Sequence, residues 1–320
     1  MSAKKEIGAK IVIAKDCGFC FGVKRAVETI YELKDKTDKK IVVAGELIHN
    51  KNFIERLEKD GIYCIDEDKI KDLEAEKDNV IVVIRTHGAT KELVGTIENM
   101  GIEYIDATCP FVKRIHKIVD RNSKDCDYTI ISGDKNHPEV KGIQSYSHSA
   151  ETAVLSDEGE CEKFVKSTPN CSQKSVLMVS QTTNNNEKYV NCQKIIKNLY
   201  TKVKIFDTIC NVTGKRQNEA KKIASTADLM FIIGCVKSSN TKKLYDIASE
   251  YCKKTYLVED ASEIPESEII SELERAKEFY GSEKNDFTVG ITAGASTPDD
   301  IIEEVVAGIG KIINSGESTN

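Results

Sequence analysis

The sequence predicts an α/β protein, and three observations support this fold class. Short apolar runs rich in Val and Ile recur along the 320 residues without the polar alternation of a half-exposed strand. Such continuous runs are typical of strands buried on both faces of a parallel sheet. The segments between the runs have helical spacing, clearest at 23–30 and 244–248. The composition, 40% hydrophobic and 31% charged, is that of a globular protein.

The predicted strands follow one another along the chain, and each is followed by a loop and a helical segment. They cover residues 11–14, 41–44, 80–84, 128–131, 176–179, 229–233 and 288–291. A regular alternation of strand and helix is typical of α/β architecture with right-handed crossovers.

Polar loops follow six of these strands, where open α/β sheets bind their ligands. They cover residues 45–50, 85–90, 132–140, 180–185, 234–243 and 292–300. Ser, Thr, Asn and Asp are favoured helix caps, so capping explains part of this composition, as at Thr297. It does not explain the histidines at 49, 87 and 137, because His is not a favoured cap. The loops therefore predict a ligand site.

Charge and the N-terminal sequence restrict the class of protein. The formal net charge of -6 disfavours a duplex-binding protein, which needs a dense basic face. The polar lead at residues 1–10 lacks the apolar region of a signal peptide, and no apolar run approaches the ~18 residues that span a bilayer. We expect a soluble, cytoplasmic protein without a nucleic-acid or membrane partner, in which the 11 cysteines are thiols, metal ligands or nucleophiles.

Three cysteines stand at predicted helix starts, spaced by about a hundred residues. Cys17 and Cys20 form a C-x-x-C pair, which alone is compatible with a redox dithiol, half a zinc site or part of a ferredoxin-type site. Cys109 and Cys210 each end a D-x-x-C segment and open a helix, as Cys20 does. A helix start favours the thiolate that a metal requires. The pattern indicates three lobes that meet at one metal, although buried structural thiols remain an alternative.

Six short segments in order resemble one enzyme family, 4-hydroxy-3-methylbut-2-enyl diphosphate reductase, the last step of the methylerythritol phosphate route to isoprenoids. They are GFCFGVKRA at 18–26, ATCPFV at 107–112, HPEVKG at 137–142, SQTT at 180–183, SSN at 238–240 and GAST at 294–297. The resemblance runs from about residue 11 to residue 310. It implies three small α/β lobes in a pseudo-threefold trefoil around a central iron–sulfur site. We place the lobes at 1–108, 109–209 and 210–320.

The resemblance also implies a cofactor and an activity. Cys20, Cys109 and Cys210 match the three ligands of a [4Fe–4S] cluster in which one iron lacks a protein ligand. The implied reaction is reductive dehydroxylation of (E)-4-hydroxy-3-methylbut-2-enyl diphosphate to isopentenyl and dimethylallyl diphosphates, with two electrons and two protons. Glu139 matches the proton-delivering carboxyl group, and Thr182 matches the hydroxyl that orients the substrate and relays protons. The residues that match the family's substrate-binding set are His49, His87, His137, Thr182, Ser238, Ser239, Asn240 and Ser296.

The implied reaction also predicts a partner, because it needs electrons from outside the chain. The sequence has no flavin or nicotinamide fingerprint, so a small acidic ferredoxin or flavodoxin is the expected electron donor, and we expect a monomer. Cys17 is expected to be inert, and Phe19, Phe21 and Phe111 are expected to pack beside the cluster and exclude water. Two other classes stay open. One is a zinc hydrolase that uses the three cysteines with Glu139 as base, and the other is a cluster-based redox or oxygen sensor.

Overall fold

The computed structural model describes residues 8–279 and 286–317. Most of the polar N-terminal lead lies outside the described residues. The chain divides into two compact units, one made of the residues up to Cys20 together with those from Lys215 onward, and the other of Phe21–Gly214. Each unit is built from strands and helices that alternate along the chain. No described helix is both long enough and apolar enough to cross a membrane.

The Phe21–Gly214 unit contains two four-stranded sheets. The first comprises β2 (Lys40–Ala44), β3 (Ile62–Ile65), β4 (Val80–Ile84) and β5 (Glu103–Asp106), with helices α1 (Phe21–Lys34), α2 (Lys51–Lys59) and α3 (Lys91–Met100). Its strands are all parallel, in the order β3-β2-β4-β5. Every residue of β4 is buried, as the apolar run predicted.

The second sheet of this unit repeats the same arrangement. It comprises β6 (Tyr128–Ser132), β7 (Glu151–Leu155), β8 (Ser175–Ser180) and β9 (Lys202–Ile205), with helices α4 (Pro110–Asn122), α5 (Pro138–Ser145), α6 (Glu158–Ser167) and α7 (Asn186–Leu199). The strands are again parallel, in the order β7-β6-β8-β9. The two central strands, β6 and β8, carry most of the buried strand residues of this sheet.

The third sheet lies in the other unit and joins both ends of the chain. It comprises β10 (Leu229–Ile233), β11 (Thr255–Val258), β12 (Asp286–Ala293) and β1 (Gly8–Ile13), with helices α8 (Asn211–Ala224, which begins just before this unit), α9 (Ser239–Tyr251), α10 (Glu266–Phe279) and α11 (Asp299–Glu317). Its order is β1-β12-β10-β11, and all its pairings are parallel.

All three sheets share one topology, and the third is circularly permuted. In each sheet, three strands that are consecutive along the chain lie in the order second, first, third, and a fourth strand pairs with the third. The fourth strand is β5 in the first sheet, β9 in the second and β1 in the last, where it comes from the opposite end of the chain. We placed residues 11–14 in a first lobe at 1–108, but β1 pairs with β12, with Ile11 opposite Val289. The N-terminal strand therefore belongs to the C-terminal sheet. The predicted α/β class with three small lobes is confirmed, with four parallel strands in each.

Candidate active site

The three predicted ligand cysteines occupy equivalent positions in the three sheets. Each follows the edge strand at the shared fourth position and directly precedes a helix. Each backbone N–H donates to a carbonyl in the loop after the neighbouring strand: Cys20 to Ala295 (3.3 Å), Cys109 to Thr86 (3.0 Å) and Cys210 to Thr182 (2.9 Å). The cysteines are half-buried and free of disulfides. Three accessible thiols at helix starts are a suitable donor set for a metal centre.

Two arginines hold the segments that lead into the cysteines. The Arg25 side chain, on α1, donates to the carbonyls of Ala107 (2.9 Å) and Thr108 (2.6 Å), just before the second cysteine. Arg216, on α8, is 3% exposed and donates to the carbonyl of Gly18 (2.7 Å), just before the first. Sequence reasoning missed both roles, because the acceptors are backbone carbonyls that residue types do not reveal.

The structure brings His49, His87 and His137 together within one unit. The His87 ring centroid lies 5.0 Å from that of His49 and 5.0 Å from that of His137, and the remaining pair is 6.0 Å apart. One nitrogen from each ring lies within 4.8 Å of the others. The Thr86 hydroxyl donates to the Leu47 carbonyl at 3.2 Å, which ties together the loops that carry the first two rings. Such a group can donate hydrogen bonds to an anion or hold a metal ion.

The central ring of this group, His87, is half-buried, and its pKa is lowered. Burial, aided by His137 and His49, holds the pKa of His87 well below its usual value. The His87 Nδ1 atom is buried and has no hydrogen-bond partner among the described residues. An unsatisfied buried polar atom is costly, so a ligand that bonds to it would relieve the penalty. We did not expect the histidines to cap helices, and this is wrong for His137. It is the N-cap of α5, and its Nδ1 accepts the Glu139 N–H at 3.1 Å.

Glu139 and Thr182 form a buried pair in the same unit. Thr182 donates its backbone N–H to Glu139 Oε1 (2.6 Å), and its hydroxyl lies 2.7 Å from Oε2. Glu139 is 1% exposed. Burial raises its pKa from the ordinary 4.5 to about 7, although both Thr182 hydrogen bonds lower it. A carboxyl group that titrates near pH 7 is suited to proton transfer.

Gln181 joins the loop before α5 to the loop after β8. Its side-chain oxygen accepts the Asp134 N–H at 3.1 Å, and its amide group donates to Thr183 at 3.1 Å. Gln181 is fully buried, so these bonds are shielded from water. Gln181 thereby fixes the loop that leads into α5, where Glu139 stands in the first turn, against the loop after β8, which carries Thr182.

The remaining predicted residues lie in the other unit, at the ends of β10 and β12. Ser238 is the N-cap of α9, and its hydroxyl accepts the Thr241 N–H at 3.4 Å. Asn240 is 4% exposed, and its Nδ2 has no hydrogen-bond partner within the described part of the chain. Ser239 is half-buried in the first turn of α9, and Ser296 is 7% exposed in the loop after β12. Their role in substrate binding stays a prediction.

Three expectations around the cysteines have mixed outcomes. Cys17 packs against the apolar core, and burial raises the pKa of its thiol. Its inertness stays a prediction. Phe21 is 63% exposed and Phe111 is 37% exposed, so neither forms the buried apolar wall that we expected. Thr297, expected to cap α11, instead donates its hydroxyl to the Ile233 carbonyl at 3.0 Å.

Comparison with known sequences identifies the same family. The LytB protein family model matches residues 11–310. Curated relatives named 4-hydroxy-3-methylbut-2-enyl diphosphate reductase include those of a Nitratiruptor species (40% identical over 95% of this chain and 99% of the relative) and Caldanaerobacter subterraneus (39%, over 97% and 99%). A Clostridium acetobutylicum relative is 37% identical over 97% of this chain, which spans only 45% of that longer protein.

Solved structures agree with these sequence relatives. The E-1-hydroxy-2-methyl-but-2-enyl-4-diphosphate reductase of Plasmodium falciparum matches with a TM-score of 0.80 and 26% identity, over 94% of this chain and 87% of that one. A second structure, described as (E)-4-hydroxy-3-methyl-but-2-enyl diphosphate reductase, the terminal enzyme of the non-mevalonate pathway, matches with a TM-score of 0.63 and 34% identity, over 96% and 100%. The resemblance seen in the six motifs is confirmed, and this chain belongs to the LytB family.

Proposed function

We propose that this chain reduces (E)-4-hydroxy-3-methylbut-2-enyl diphosphate to isopentenyl and dimethylallyl diphosphates. Two electrons and two protons enter, the allylic C–O bond breaks, and the hydroxyl group leaves as water. The observation that carries the proposal is the buried pair of Glu139 and Thr182. The Thr182 carbonyl also accepts the Cys210 N–H. Thr182 therefore contacts both the proposed proton source, Glu139, and a predicted metal ligand, Cys210.

In this proposal Cys20, Cys109 and Cys210 hold a [4Fe–4S] cluster, with one iron free of protein ligands. The donor set fits this cofactor, because the three cysteines form no disulfide, are half-buried and stand directly before helices. The bound cluster would supply electrons to the substrate one at a time. The protein's part is to hold the thiols in place through their backbone anchors.

The diphosphate is bound without a Lys/Arg clamp. His49, His87 and His137 present ring nitrogens, and helix starts add backbone N–H groups, which favour phosphate. The unsatisfied Nδ2 of Asn240, together with the hydroxyl groups of the SSN and GAST segments, would supply further donors. A net acidic protein can therefore hold an anionic substrate.

Proton delivery is assigned to Glu139. With a pKa of about 7, a substantial fraction of this carboxyl group is protonated at neutral pH. Its Oε2 lies 2.7 Å from the Thr182 hydroxyl, which can accept the carboxyl proton and donate its own. Burial shields this pair from bulk water.

The electron donor in this proposal is a small acidic ferredoxin or flavodoxin, and the enzyme acts as a monomer. The implied setting is the methylerythritol phosphate route to isoprenoids.

The test is anaerobic purification followed by iron, sulfide and zinc analysis, a cluster spectrum, and turnover with reduced methyl viologen. We expect both isoprenoid diphosphates as products and about four irons and four sulfides per chain, while C109S loses the cluster and turnover. A brown, cluster-containing protein without turnover would contradict the proposed activity but not the proposed cofactor. Zinc without labile sulfide would contradict both.

The three histidines support a second candidate, a zinc site, because one nitrogen from each lies within 4.8 Å of the others. Three His ligands with an open fourth position are typical of catalytic zinc. This candidate predicts one zinc per chain in C109S and none in the double variant that adds H87Q. Absence of zinc from C109S would exclude it.

A further inference from the structure

The outward face of α4 forms a basic stripe. Pro110, Arg114, Lys117 and Arg121 are all exposed and spaced as i, i+4, i+7 and i+11, which places them on one side of the helix. The opposite side packs into the apolar core of its unit. Four of the helix residues are Lys or Arg and one is Asp, in a chain whose net charge is -6. The stripe is therefore a local reversal of the overall charge.

Most of the charges on this face are not neutralised within the protein. Lys113 pairs with Asp106 at 2.6 Å. By contrast, no carboxylate in the described part of the chain lies within salt-bridge distance of Arg114, Lys117 or Arg121. These three cations remain available to a partner.

The stripe begins at a predicted cluster ligand and borders a second one. Pro110 directly follows Cys109, which is the N-cap of α4. Phe111 and Arg114 line a small cleft together with residues 207–209 and 211, the segment that holds Cys210. Phe111 is 37% exposed. An apolar ring thus lies at the end of a basic surface, beside two of the three thiols.

We propose that this basic face of α4 is the docking surface for a small acidic one-electron carrier protein. The proposal rests on the proposed function, which requires electrons from outside the chain. In each encounter the carrier would lose one electron, which the cluster held by the three cysteines would accept, so two encounters would supply the two electrons for each product. Transient redox complexes bury little surface, and complementary charges mainly accelerate their association. A short basic stripe around an apolar contact fits such an encounter.

The test compares two charge reversals that change the net charge equally. K117E/R121E reverses the stripe, and K188E/K197E reverses two exposed lysines on α7. Both leave the cysteines and the predicted substrate residues unchanged. The probe is a purified acidic ferredoxin. Its binding to each holoenzyme is measured by calorimetry at low ionic strength, and electron transfer is measured by stopped-flow absorbance. Carbodiimide cross-linking followed by mass spectrometry maps the contact in the wild type.

We expect K117E/R121E to lower the second-order rate of electron transfer and the affinity about 10- to 100-fold at low salt. The difference should shrink towards one at high salt, because screening removes it in the wild type. K188E/K197E should behave like the wild type, and cross-links should fall on Lys113 or Lys117.

Equal losses in both variants, or unchanged transfer to K117E/R121E, would overturn the docking surface. So would cross-links confined to other helices. Binding of a short RNA by the same stripe, with no effect of the reversal on the ferredoxin, would assign this face to another partner. Turnover with reduced methyl viologen tests the proposed function separately. If the wild type shows no turnover with methyl viologen, the proposed activity is contradicted. The binding and cross-linking results would still test whether α4 is the docking surface.

Discussion

Replacement of Glu139 by Gln should abolish turnover while making the protein more stable at alkaline pH. The amide cannot supply a proton but can keep both hydrogen bonds, since its oxygen can accept the Thr182 N–H and its NH₂ group can donate to the Thr182 hydroxyl. The expected loss in kcat is at least about 100-fold, the usual contribution of a general acid.

The stability change follows from the raised pKa of Glu139. Because that pKa rises from 4.5 to about 7, the folded protein binds more protons than the unfolded chain between these values. The stability contributed by the neutral carboxyl group is complete below pH 4.5 and is lost as the pH rises through about 7. At 1.36 kcal/mol per pKa unit, the full loss is about 3 kcal/mol, of which about 1.4 kcal/mol falls between pH 6 and pH 9.

The assay is guanidinium unfolding of wild type and E139Q at pH 6 and pH 9. The difference in unfolding free energy between the two proteins should shift by about 1.4 kcal/mol in favour of E139Q at the higher pH. The titration of other groups, such as buried His116, cancels in this comparison. E162Q, a replacement of an exposed carboxyl group on α6, is the control and should show no such shift. A pH-independent difference for E139Q would refute the assignment of a raised pKa to Glu139.

Three further predictions concern residues near this pair. T182V removes a hydroxyl hydrogen bond that lowers the pKa of Glu139. The pH at which kcat/KM falls on the alkaline side should therefore rise by about one unit. An unchanged alkaline fall would contradict this effect of Thr182. H87A should raise KM about tenfold in steady-state assays, because the hydrogen bond from the ring to the diphosphate is lost; an unchanged KM would contradict the role. His116 is buried and stacks on Tyr146 at a 4.4 Å centroid distance, so H116A should lower the unfolding free energy by about 2–4 kcal/mol in guanidinium, and a loss below about 1 kcal/mol would contradict tight packing.

The central strands of the sheets could be predicted from sequence, whereas most edge strands could not. The strands β2, β4, β6, β8, β10 and β12 are continuous apolar runs, because neighbours cover both of their edges and helices cover their faces. The strands β3, β5, β7, β9 and β11 were all missed. They have four or five residues and are mostly half-exposed, so their sequences lack a long apolar run.

The partner of the N-terminal strand could not be predicted either. The apolar run at 11–14 predicted a strand, but pairing with a strand more than 270 residues away leaves no local signal. The same limit applies to the backbone anchors of the cysteines. The helix start after each cysteine is visible in sequence. The carbonyls of Thr86, Thr182 and Ala295 are not, because every residue has one.

The shared topology explains how one frame supports different chemistry in each lobe. The loop after the first strand of a sheet carries His49, His137 or Ser238, and the loop after the third carries His87, Thr182 or Ser296. The fourth strand leads to a cysteine each time. The backbone contacts of the cysteines are thus repeated in the three sheets, whereas the side chains of the other loops differ.

Under the proposed function, this division predicts that cofactor retention and substrate chemistry can be separated by measurement. The cysteines are anchored by main-chain carbonyls, and a side-chain replacement leaves those carbonyls in place. T182V and H87A should therefore keep the iron content of the wild type while their pH profile or KM changes. C210S should lose iron although the Thr182 and Glu139 pair is intact. If T182V lost its iron along with its activity, the Thr182 side chain would be needed to hold the third cysteine, and the proposed separation of roles would be wrong.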